Sequence, residues 1–429
     1  MRDLARALFV QSLAQCSVEK AFEKHVSCDR GILRVGEDLY DLNSFSRVFV
    51  VALGKAAHTM LQSLIAQAGE RFEGIVVSPV QPPQHVRGFR YFHGGHPLPN
   101  AESIRGAEAV LKSLTAQNAT SLVIYLISGG ASACAERPID GEISLDDLVE
   151  TYRALVHSGA AIASINAIRK HLSAIKGGRL AQAASPAQQV SIFISDVPDN
   201  TPDALGSGPT MPDTSTAEDC HAIAAKHNLL PQLPASVREL FERHALEETP
   251  KSGDPAFHHS RWCTVLANDS LLNVAKAEAE SKRFTVEIDN SCDDWDYLRA
   301  ADYLLNKLRE LRKKYERVCL LSGGEVTVKV TNVGVGGRNQ QFALAFAQKI
   351  TGENITVLSG GSDGMDGNSS VAGAIADGTT QARSEAGGLS IEDHLSRFDA
   401  YPLFSKLGDT IETGPTGNNI RDLRILLAY

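Results

Sequence analysis

Loops rich in glycine and serine directly follow several short apolar runs in this sequence, and their residue types suit the binding of anions. Glycine lets the backbone approach an anion closely, and the N-terminus of a following helix supplies unpaired N–H donors. Open α/β sheets bind ligands at the carboxyl ends of their strands, so these loops predict a phosphate or carboxylate site. The geometry of a tight turn explains any single loop equally well. The loops are Gly54-Lys55, Ser128-Gly129-Gly130-Ala131-Ser132, Ser195-Asp196, Ser322-Gly323-Gly324-Glu325 and residues 359–367.

Lys55 and Asp196 are the candidate catalytic residues in the first half of the chain. Lys55 comes shortly after the apolar run RVFVVAL, so its ammonium can neutralise a carboxylate or a transferring phosphoryl group at a sheet edge. Asp196 comes shortly after VSIFI, where a carboxylate can accept a hydroxyl proton or hold Mg²⁺. A solvated lysine and an N-cap aspartate are the structural alternatives. Gly54-Lys55 lacks the earlier glycine that a Walker motif requires.

Residues 166–180 (NAIRKHLSAIKGGRL) concentrate positive charge in an otherwise acidic chain. Such a patch can hold a carboxylate or phosphate, although an ordinary charged helix face is the alternative. Together with the first serine-glycine loop, this segment supplies the predicted substrate-binding residues. They are Ser128, Gly129, Gly130, Ser132, Lys170, His171 and Lys176.

Arg338 is the third candidate catalytic residue, because it follows two glycines at a predicted helix start and can bind phosphate through two hydrogen bonds. Asp363 and Asp366 are the candidate metal ligands. An EF-hand is excluded because its twelfth position would be Ala374, which has no carboxylate. Mg²⁺ shared with a nucleotide is therefore favoured over calcium. A pair of turn aspartates without a metal is the structural alternative. The predicted nucleotide-binding residues are Ser322, Gly323, Gly324, Glu325, Gly337, Asn339 and Thr416.

Short apolar runs that alternate with helix-like segments must position these residues. Most are rich in β-branched residues and too short for helices, which predicts parallel strands joined by crossover helices. The polar segment 247–260 is typical of a linker. The expected fold is therefore α/β, with two Rossmann-like domains, mostly parallel sheets and an interdomain cleft. The predicted domains are residues 1–250 and 251–429. Predicted strands include residues 47–53, 74–80, 122–127, 190–194, 263–267, 284–288, 318–321, 325–330 and 355–358.

Composition excludes several classes of function. A formal charge of −9 over 429 residues argues against a general nucleic-acid-binding surface. The seven cysteines are scattered and odd in number, which fits a reducing compartment. The start does not resemble a signal peptide, and no apolar run approaches the length of a membrane span. We expect a cytoplasmic protein with small-molecule ligands; the oligomeric state stays open, with a homodimer as the candidate assembly.

The chain resembles the type-2 glycerate kinases, which join a glycerate kinase N-terminal domain to a MOFRL-type C-terminal domain. The matching stretches appear in the family's order, which makes a chance match improbable. They are GKAA at 54–57, GGHPLPN at 94–100, LISGGAS at 126–132, RKHLSAIKGGRLA at 169–181, SDVPDN with GSGPT at 195–210, SGGEVTVKV at 322–330, GGRNQQ at 336–341, SGGSDGMDG at 359–367 and TGPTGNNIRDL at 413–423.

This resemblance implies transfer of the γ-phosphoryl group of ATP, with Mg²⁺, to the 2-hydroxyl of D-glycerate. It places Lys55 and Arg338 on the positions proposed as catalytic in the family, and Asp196 on an active-site aspartate. Another small hydroxy or sugar acid as acceptor, a hydroxypyruvate reductase and a non-catalytic ligand-binding relative are the alternatives. A reductase is disfavoured because no βαβ unit opens with the dinucleotide fingerprint.

Three positions depart from the family pattern. Ala131 stands where the family usually has a third glycine, and Gln341 stands where it has a glutamate. Ser369-Ser370 replaces a Thr-Asp pair, so Ser370 lacks the carboxylate of the family. These departures bear on the metal, the nucleotide contacts and the acceptor, while the expected fold is unaffected.

Overall fold

A computed structural model describes residues 1–198, 200–332 and 334–429. The chain divides into two compact units. The N-terminal unit comprises Val18–Val265, and the C-terminal unit joins Met1–Ser17 to Leu266–Tyr429. No helix within the described residues has both the length and the apolar character needed to cross a membrane.

Helices and strands alternate along most of the chain. The α-helices are α1 (Arg2–Gln15), α2 (Val18–His25), α3 (Ala57–Ala68), α4 (Ala101–Leu114), α5 (Ala131–Cys134), α6 (Leu145–His157), α7 (Ile162–His171), α8 (Arg179–Ala184), α9 (Ala217–Lys226), α10 (Ala235–Glu242), α11 (Asn268–Ser281), α12 (Tyr297–Arg312), α13 (Arg338–Lys349), α14 (Thr380–Ala386), α15 (Ile391–Ser396) and α16 (Ala400–Leu407). The strands are β1 (Val26–Asp29), β2 (Ile32–Val35), β3 (Asp38–Asp41), β4 (Arg47–Leu53), β5 (Glu73–Ser78), β6 (Phe89–His93), β7 (Ser121–Ile127), β8 (Gln188–Ile194), β9 (Ser260–Leu266), β10 (Thr285–Ile288), β11 (Val318–Gly324), β12 (Ile355–Gly361), β13 (Gly373–Asp377), β14 (Thr410–Ile411) and β15 (Asp422–Ala428).

The main sheet of the N-terminal unit has the strand order β6-β5-β4-β7-β8-β9, and β4 to β8 pair in parallel. Strand β7 is buried along its whole length, as expected for a strand covered by helices on both faces. This confirms the predicted parallel α/β architecture. In register, Leu53 lies beside Ile127, and Ile127 lies beside Phe193. The loops that follow β4, β7 and β8 therefore meet at one edge of the sheet.

The sheet of the C-terminal unit has the order β10-β11-β15-β12-β13-β14. Strands β10 and β11 are parallel, but β15 lies between β11 and β12 and is antiparallel to both. The α/β class is confirmed, whereas the mostly parallel pairing predicted for this half is corrected to a mixed sheet. The reason is that the last apolar run of the chain forms β15, which inserts into the middle of the sheet antiparallel to both of its neighbours. Residues 325–330, predicted to form a strand, form a loop instead. Within this loop Thr327 makes a single isolated β-bridge.

The sequence predicted a boundary after residue 250. The two compact units instead meet between Val265 and Leu266. Helix α1 packs in the C-terminal unit, where the Phe9 ring lies against Gly360. Strand β9, expected to open the second half, is the edge strand of the first sheet. The predicted linker at 247–260 belongs to the N-terminal unit, and Asp213 donates its backbone N–H to the carbonyl of Pro250 at 3.0 Å. The apolar pattern of the sequence identifies these segments. It does not specify which unit a helix packs in or which sheet a strand joins.

Candidate functional site

The loops after β4 and β7 interlock at the carboxyl edge of the N-terminal sheet. The Lys55 N–H donates to the carbonyl of Gly129 at 2.9 Å, and the Ala56 N–H donates to Oγ of Ser128 at 3.0 Å. Gly54 has φ +111°, and a Cβ there would lie 2.5 Å from the Ser128 carbonyl oxygen. Only glycine fits this position without displacing the neighbouring loop. Ser128 is thus a buried structural contact, while the Lys55 side chain is exposed.

The turn at Gly129–Gly130 brings three chemically active side chains together. A Cβ on Gly129 would lie 2.0 Å from Oδ2 of Asp196, so the carboxylate occupies the space that glycine leaves open. A Cβ on Gly130 would lie 3.0 Å from the ring of His96 and 3.2 Å from Cγ of Lys55. The predicted pair Lys55 and Asp196 therefore borders one turn, as the parallel strand order requires.

His96 is a member of this site that the pattern of residue types did not reveal. Its only signal was its position within the GGHPLPN stretch between β6 and α4. Partial burial lowers the pKa of His96, and the Lys55 ammonium lowers it further. The imidazole is consequently neutral at pH 7.

Ser132 lies one turn further along, in the short helix α5. Its hydroxyl is 2.9 Å from the hydroxyl of Ser207. Ser207 belongs to a 3₁₀ helix, Pro202–Ser207, that follows the Asp196 loop. The predicted substrate-binding residues Ser128, Gly129, Gly130 and Ser132 are thus brought to the same edge as Lys55.

The three basic residues predicted to bind substrate have other partners. Lys170 is 5% exposed, and its Nζ donates at 3.0 Å to both Asp203 and Asp213. His171 is fully buried, and its Nδ1 lies 2.9 Å from the carbonyl oxygen of Ala167. The Lys170 ammonium is thus occupied by two carboxylates, whereas Nε2 of His171 has no hydrogen-bond partner among the described residues and lies 3.8 Å from Oε2 of Glu248. The substrate contacts of both residues stay predictions, made by side chains that are buried here.

Lys176 is the third of these basic residues. It has no exposed surface, and its ammonium pairs with the equally buried carboxylate of Glu136 and donates to the Tyr152 hydroxyl at 3.1 Å. Glu136 also accepts hydrogen bonds from Ser173 at 2.6 Å and from the backbone of Arg137 at 2.9 Å. The sequence showed the positive charge of Lys176 but not that Glu136 neutralises it.

In the C-terminal unit, two Ser-Gly-Gly segments flank the strand that carries Asp422 and Arg424. Ser322 and Ser359 both pair with Arg424, and two strand positions away Gly324 and Gly361 both pair with Asp422. The two glycines of the first segment, Gly323 and Gly324, already donate their backbone N–H groups to neighbouring side chains. Gly323 donates to Asn290 at 2.8 Å and Gly324 donates to Asn268 at 3.0 Å. Ser322 is also fully buried. The nucleotide contacts of Ser322, Gly323 and Gly324 stay predictions, and the two glycine N–H groups already have partners within the unit.

Arg338 begins α13 and is held by two carboxylates. Its Nε and Nη2 donate to Asp422 at 2.6 and 2.9 Å, and its Nη2 lies 2.8 Å from Oε1 of Glu325. Burial opposes the charge, but Asp422 and Glu325 outweigh it and raise the pKa of Arg338 above its ordinary value. The side chain nonetheless remains 37% exposed, so part of it is accessible to a ligand.

Asp366 caps α13, and its carboxylate is occupied by hydrogen bonds from that helix. Its carboxylate accepts hydrogen bonds from the backbone N–H and the side-chain amide of both Asn339 and Gln340, at 2.8–3.3 Å. Burial raises the pKa of Asp366 to about 6, assisted by Asp422. The metal role of Asp366 and the nucleotide contact of the buried Asn339 stay predictions, and both side chains are engaged in capping α13.

Asp363 is the carboxylate that can still meet a magnesium ion, although its Oδ1 already accepts the Met365 N–H at 3.1 Å. Within the described ranges, no group of three or more acidic, cysteine or histidine residues could hold a metal alone. Mg²⁺ usually arrives with phosphates and binds through one or two carboxylates, so a single aspartate fits that mode. Thr416 shapes the adjacent loop, and its hydroxyl donates to the Ser362 carbonyl at 2.6 Å.

A pocket of about 540 Å³ opens beside Arg338 in the C-terminal unit. Its walls combine the apolar side chains of Val326, Val328 and Phe398 with backbone at Gly337. Glu325 and Arg338 lie at its polar side. Apolar walls next to a few charged groups are typical of sites for small organic ligands. Three predicted residues, Glu325, Gly337 and Arg338, therefore share one pocket.

The departures from the family pattern have distinct surroundings. Gln341 is buried, and its Nε2 donates to the Leu395 carbonyl at 2.8 Å, a bond that a glutamate carboxylate could not make. Ala131 begins α5, and a Cβ added to Gly206 would lie 3.0 Å from the Ala131 methyl. Ser370 is exposed in the loop after Asp366. Nothing in the structure explains the absence of a carboxylate at Ser370.

Two family models match the chain: the domain of unknown function DUF4147 over residues 4–242 and the MOFRL family over residues 318–422. The D-glycerate 2-kinase of Thermotoga maritima is 35% identical over 91% of this chain and 93% of its own length. A protein of Agrobacterium vitis, provisionally named a hydroxypyruvate reductase, is 34% identical over 89% of this chain and 87% of its own. The crystal structure of a Thermotoga maritima glycerate kinase matches with a TM-score of 0.86 at 31% identity, covering 100% of this chain and 99% of that one.

Proposed function

Because this chain belongs to the glycerate 2-kinase family, built from DUF4147 and MOFRL domains, we propose that it transfers the γ-phosphoryl group of ATP to the 2-hydroxyl of D-glycerate. The observation that carries the proposal is the convergence of Lys55 and Asp196 on the Gly129–Gly130 turn. A cation and a carboxylate at one turn suit an acceptor that has both a carboxylate and a hydroxyl group.

In this proposal Lys55 binds the glycerate carboxylate and balances charge on the transferring group. Asp196 orients the 2-hydroxyl, and the backbone of the Gly129–Gly130 turn lines the acceptor site. Lys170 and Lys176 have no part in binding, because both ammonium groups are buried and paired with carboxylates. Their role is to hold the loops that surround the site.

The nucleotide is assigned to the pocket beside Arg338. Arg338 would contact the phosphates through its exposed face, and Asp422 and Glu325 fix its direction. A kinase of this family takes its phosphoryl group from ATP, and Mg²⁺ bound with the phosphates would neutralise part of their charge. Asp363 is the residue we propose for contact with that ion.

A reducing compartment is the proposed location. No disulfide joins the cysteines within the described residues, and five of them are buried away from oxidants: Cys16, Cys134, Cys220, Cys292 and Cys319. Reduced cysteines are typical of proteins that work in the cytoplasm, which supports it as the site of action.

A hydroxypyruvate reductase is the second candidate, favoured by the name of the Agrobacterium vitis relative. Hydroxypyruvate carries the same carboxylate as glycerate and would contact the same lysine. A reductase additionally needs a nicotinamide site, and the loops after β4 and β7 lack the G-x-G-x-x-G fingerprint of such sites. The kinase is therefore the preferred function.

The test is a coupled assay of ADP release with Mg-ATP and a panel of small hydroxy acids, with the product identified by phosphorus NMR. We expect turnover with D-glycerate and formation of the 2-phosphate. A parallel assay with hydroxypyruvate and NADH or NADPH measures the alternative activity. Oxidation of the nicotinamide without any ADP release would replace the kinase by the reductase.

Variants at Lys55 and Arg338 assign the site. Lys55→Ala and Arg338→Ala are each expected to lower kcat/KM by at least about 100-fold, because each removes charge from the transferring group. Lys226→Ala and Arg153→Ala are the matched controls, since both are exposed residues on helices of the N-terminal unit. Near-normal turnover in both site variants, with the fold retained by circular dichroism, would overturn the residue assignment.

A further inference from the structure

His96 borders the turn at which the acceptor is proposed to bind. The edge of its ring formed by Cδ2 and Nε2 faces Gly130, at 3.0 and 3.4 Å from the position of a Cβ on that glycine. Cγ of Lys55 lies 3.2 Å from the same position. The ring therefore stands beside the lysine proposed to bind the acceptor, and His96 is exposed to an incoming ligand.

The charge state of His96 suits it to accept a proton. Partial burial and the Lys55 ammonium both lower its pKa from the ordinary value of 6.5, so the neutral imidazole predominates at pH 7. The charge that lowers the pKa of the ring is the ammonium of Lys55, in the loop between β4 and α3. The Asp196 carboxylate lies beside Gly129, the glycine that precedes Gly130 in the same turn. A neutral imidazole has one ring nitrogen that accepts hydrogen bonds.

We propose that His96 is a further catalytic residue, the general base that removes the proton from the acceptor hydroxyl, while Asp196 orients that hydroxyl. The inference rests on the proposed kinase activity. The hydroxyl oxygen forms a bond to the γ-phosphorus, and the bond from that phosphorus to the bridging oxygen breaks, with its electrons leaving on ADP. The hydroxyl proton passes to Nε2 of His96, and His96 later releases it to water.

The first experiment compares His96→Gln with the wild type in the ADP-release assay across pH. We expect kcat to fall by about 100-fold or more, within the usual range for loss of a general base, while KM for glycerate changes little. We also expect the acid limb of the wild-type profile, which titrates below the ordinary histidine range, to disappear in the variant. His93→Gln is the matched control, because His93 is an exposed histidine in the same segment.

Asp366 requires its own control, because its carboxyl also titrates in the weakly acidic range. Asp366→Asn should retain the acid limb if His96 is the base. An acid limb that persists in His96→Gln, or one that disappears only in Asp366→Asn, would overturn the proposal. So would His96→Gln with wild-type kcat. A wild type without any kinase activity would instead remove the proposed function on which the inference rests.

A measurement that needs no turnover keeps the inference testable if His96→Gln folds poorly. Nitrogen-15 NMR of labelled wild type assigns the His96 ring and follows its titration. The Lys55→Met variant removes the neighbouring positive charge, so the pKa of His96 should rise toward 6.5. An unchanged titration would show that Lys55 and His96 do not share a site, and would overturn the inference.

Discussion

Replacing Lys176 by methionine is expected to destabilise the N-terminal unit while leaving the affinity for D-glycerate nearly unchanged. Methionine keeps much of the side-chain volume but removes the ammonium that pairs with Glu136. Both residues are fully buried, so Glu136 would keep a charge without a counter-ion or would take up a proton. Either outcome lowers the free energy of unfolding.

The magnitude follows from the contacts that remain. Breaking a buried ion pair by removing one partner costs about 3–5 kcal/mol. Glu136 retains three donors, the Ser173 hydroxyl, the Arg137 backbone N–H and the Tyr152 hydroxyl. We therefore expect a loss near the lower end, about 3 kcal/mol, which corresponds to a fall in Tm of roughly 6–12 °C.

The assay combines urea unfolding of the full chain with the KM for D-glycerate. The double variant Lys176→Met/Glu136→Gln removes both charges and should recover part of the lost stability, because an uncharged pair has no ion to desolvate. Lys226→Met is the control for an exposed lysine. The structural role of Lys176 is refuted if Lys176→Met keeps wild-type stability and raises the KM for glycerate by about tenfold or more, which is the loss of roughly one charged contact.

Three further predictions address the acceptor turn, a family departure and the helix cap. Gly129→Ala would place a Cβ 2.0 Å from the Asp196 carboxylate and should lower kcat by about 100-fold. The control Gly141→Ala adds a Cβ where no atom lies within 4 Å and should leave kcat unchanged. Equal kcat values for the two variants would contradict the geometry of the turn. Gln341→Glu replaces a buried amide donor by a carboxylate and should reduce the free energy of unfolding by about 1–3 kcal/mol without raising kcat, as measured by urea unfolding and the kinase assay; a gain in both would contradict this. The raised pKa of Asp366 makes the protonated form the better fit for the folded state, so its contribution to stability is lost as pH rises from 3.8 to about 6. The stability of Asp366→Asn relative to wild type should therefore increase over that range, and a difference independent of pH would contradict the raised pKa.

The sequence placed Lys55 and Asp196 at one edge of the first sheet, because parallel strands impose a simple rule. Apolar runs of β-branched residues identified β4, β7 and β8, and the carboxyl ends of neighbouring parallel strands must lie at one edge. Lys55 and Asp196 follow two of those strands, so their convergence on the turn after the third could be predicted. The order of the family motifs along the chain similarly indicated both domains.

The partners of the charged residues were decided only by the tertiary structure. Lys176 and Glu136 are far apart in sequence, and no periodicity links them, so the sequence showed a basic cluster but not that Lys170 and Lys176 are buried and paired with carboxylates. The same limit applied to Arg338, whose partner Asp422 comes from the final strand.

The sequence by itself therefore determined the α/β class, the strands β4, β7 and β8, and the family, since these depend on local patterns of apolar and glycine residues. Tertiary structure decided which unit α1 packs in, which sheet β9 and β15 join, and which charged side chains are exposed. The physical reason is that burial and long-range pairing set the state of an ionisable group, and a linear pattern contains neither.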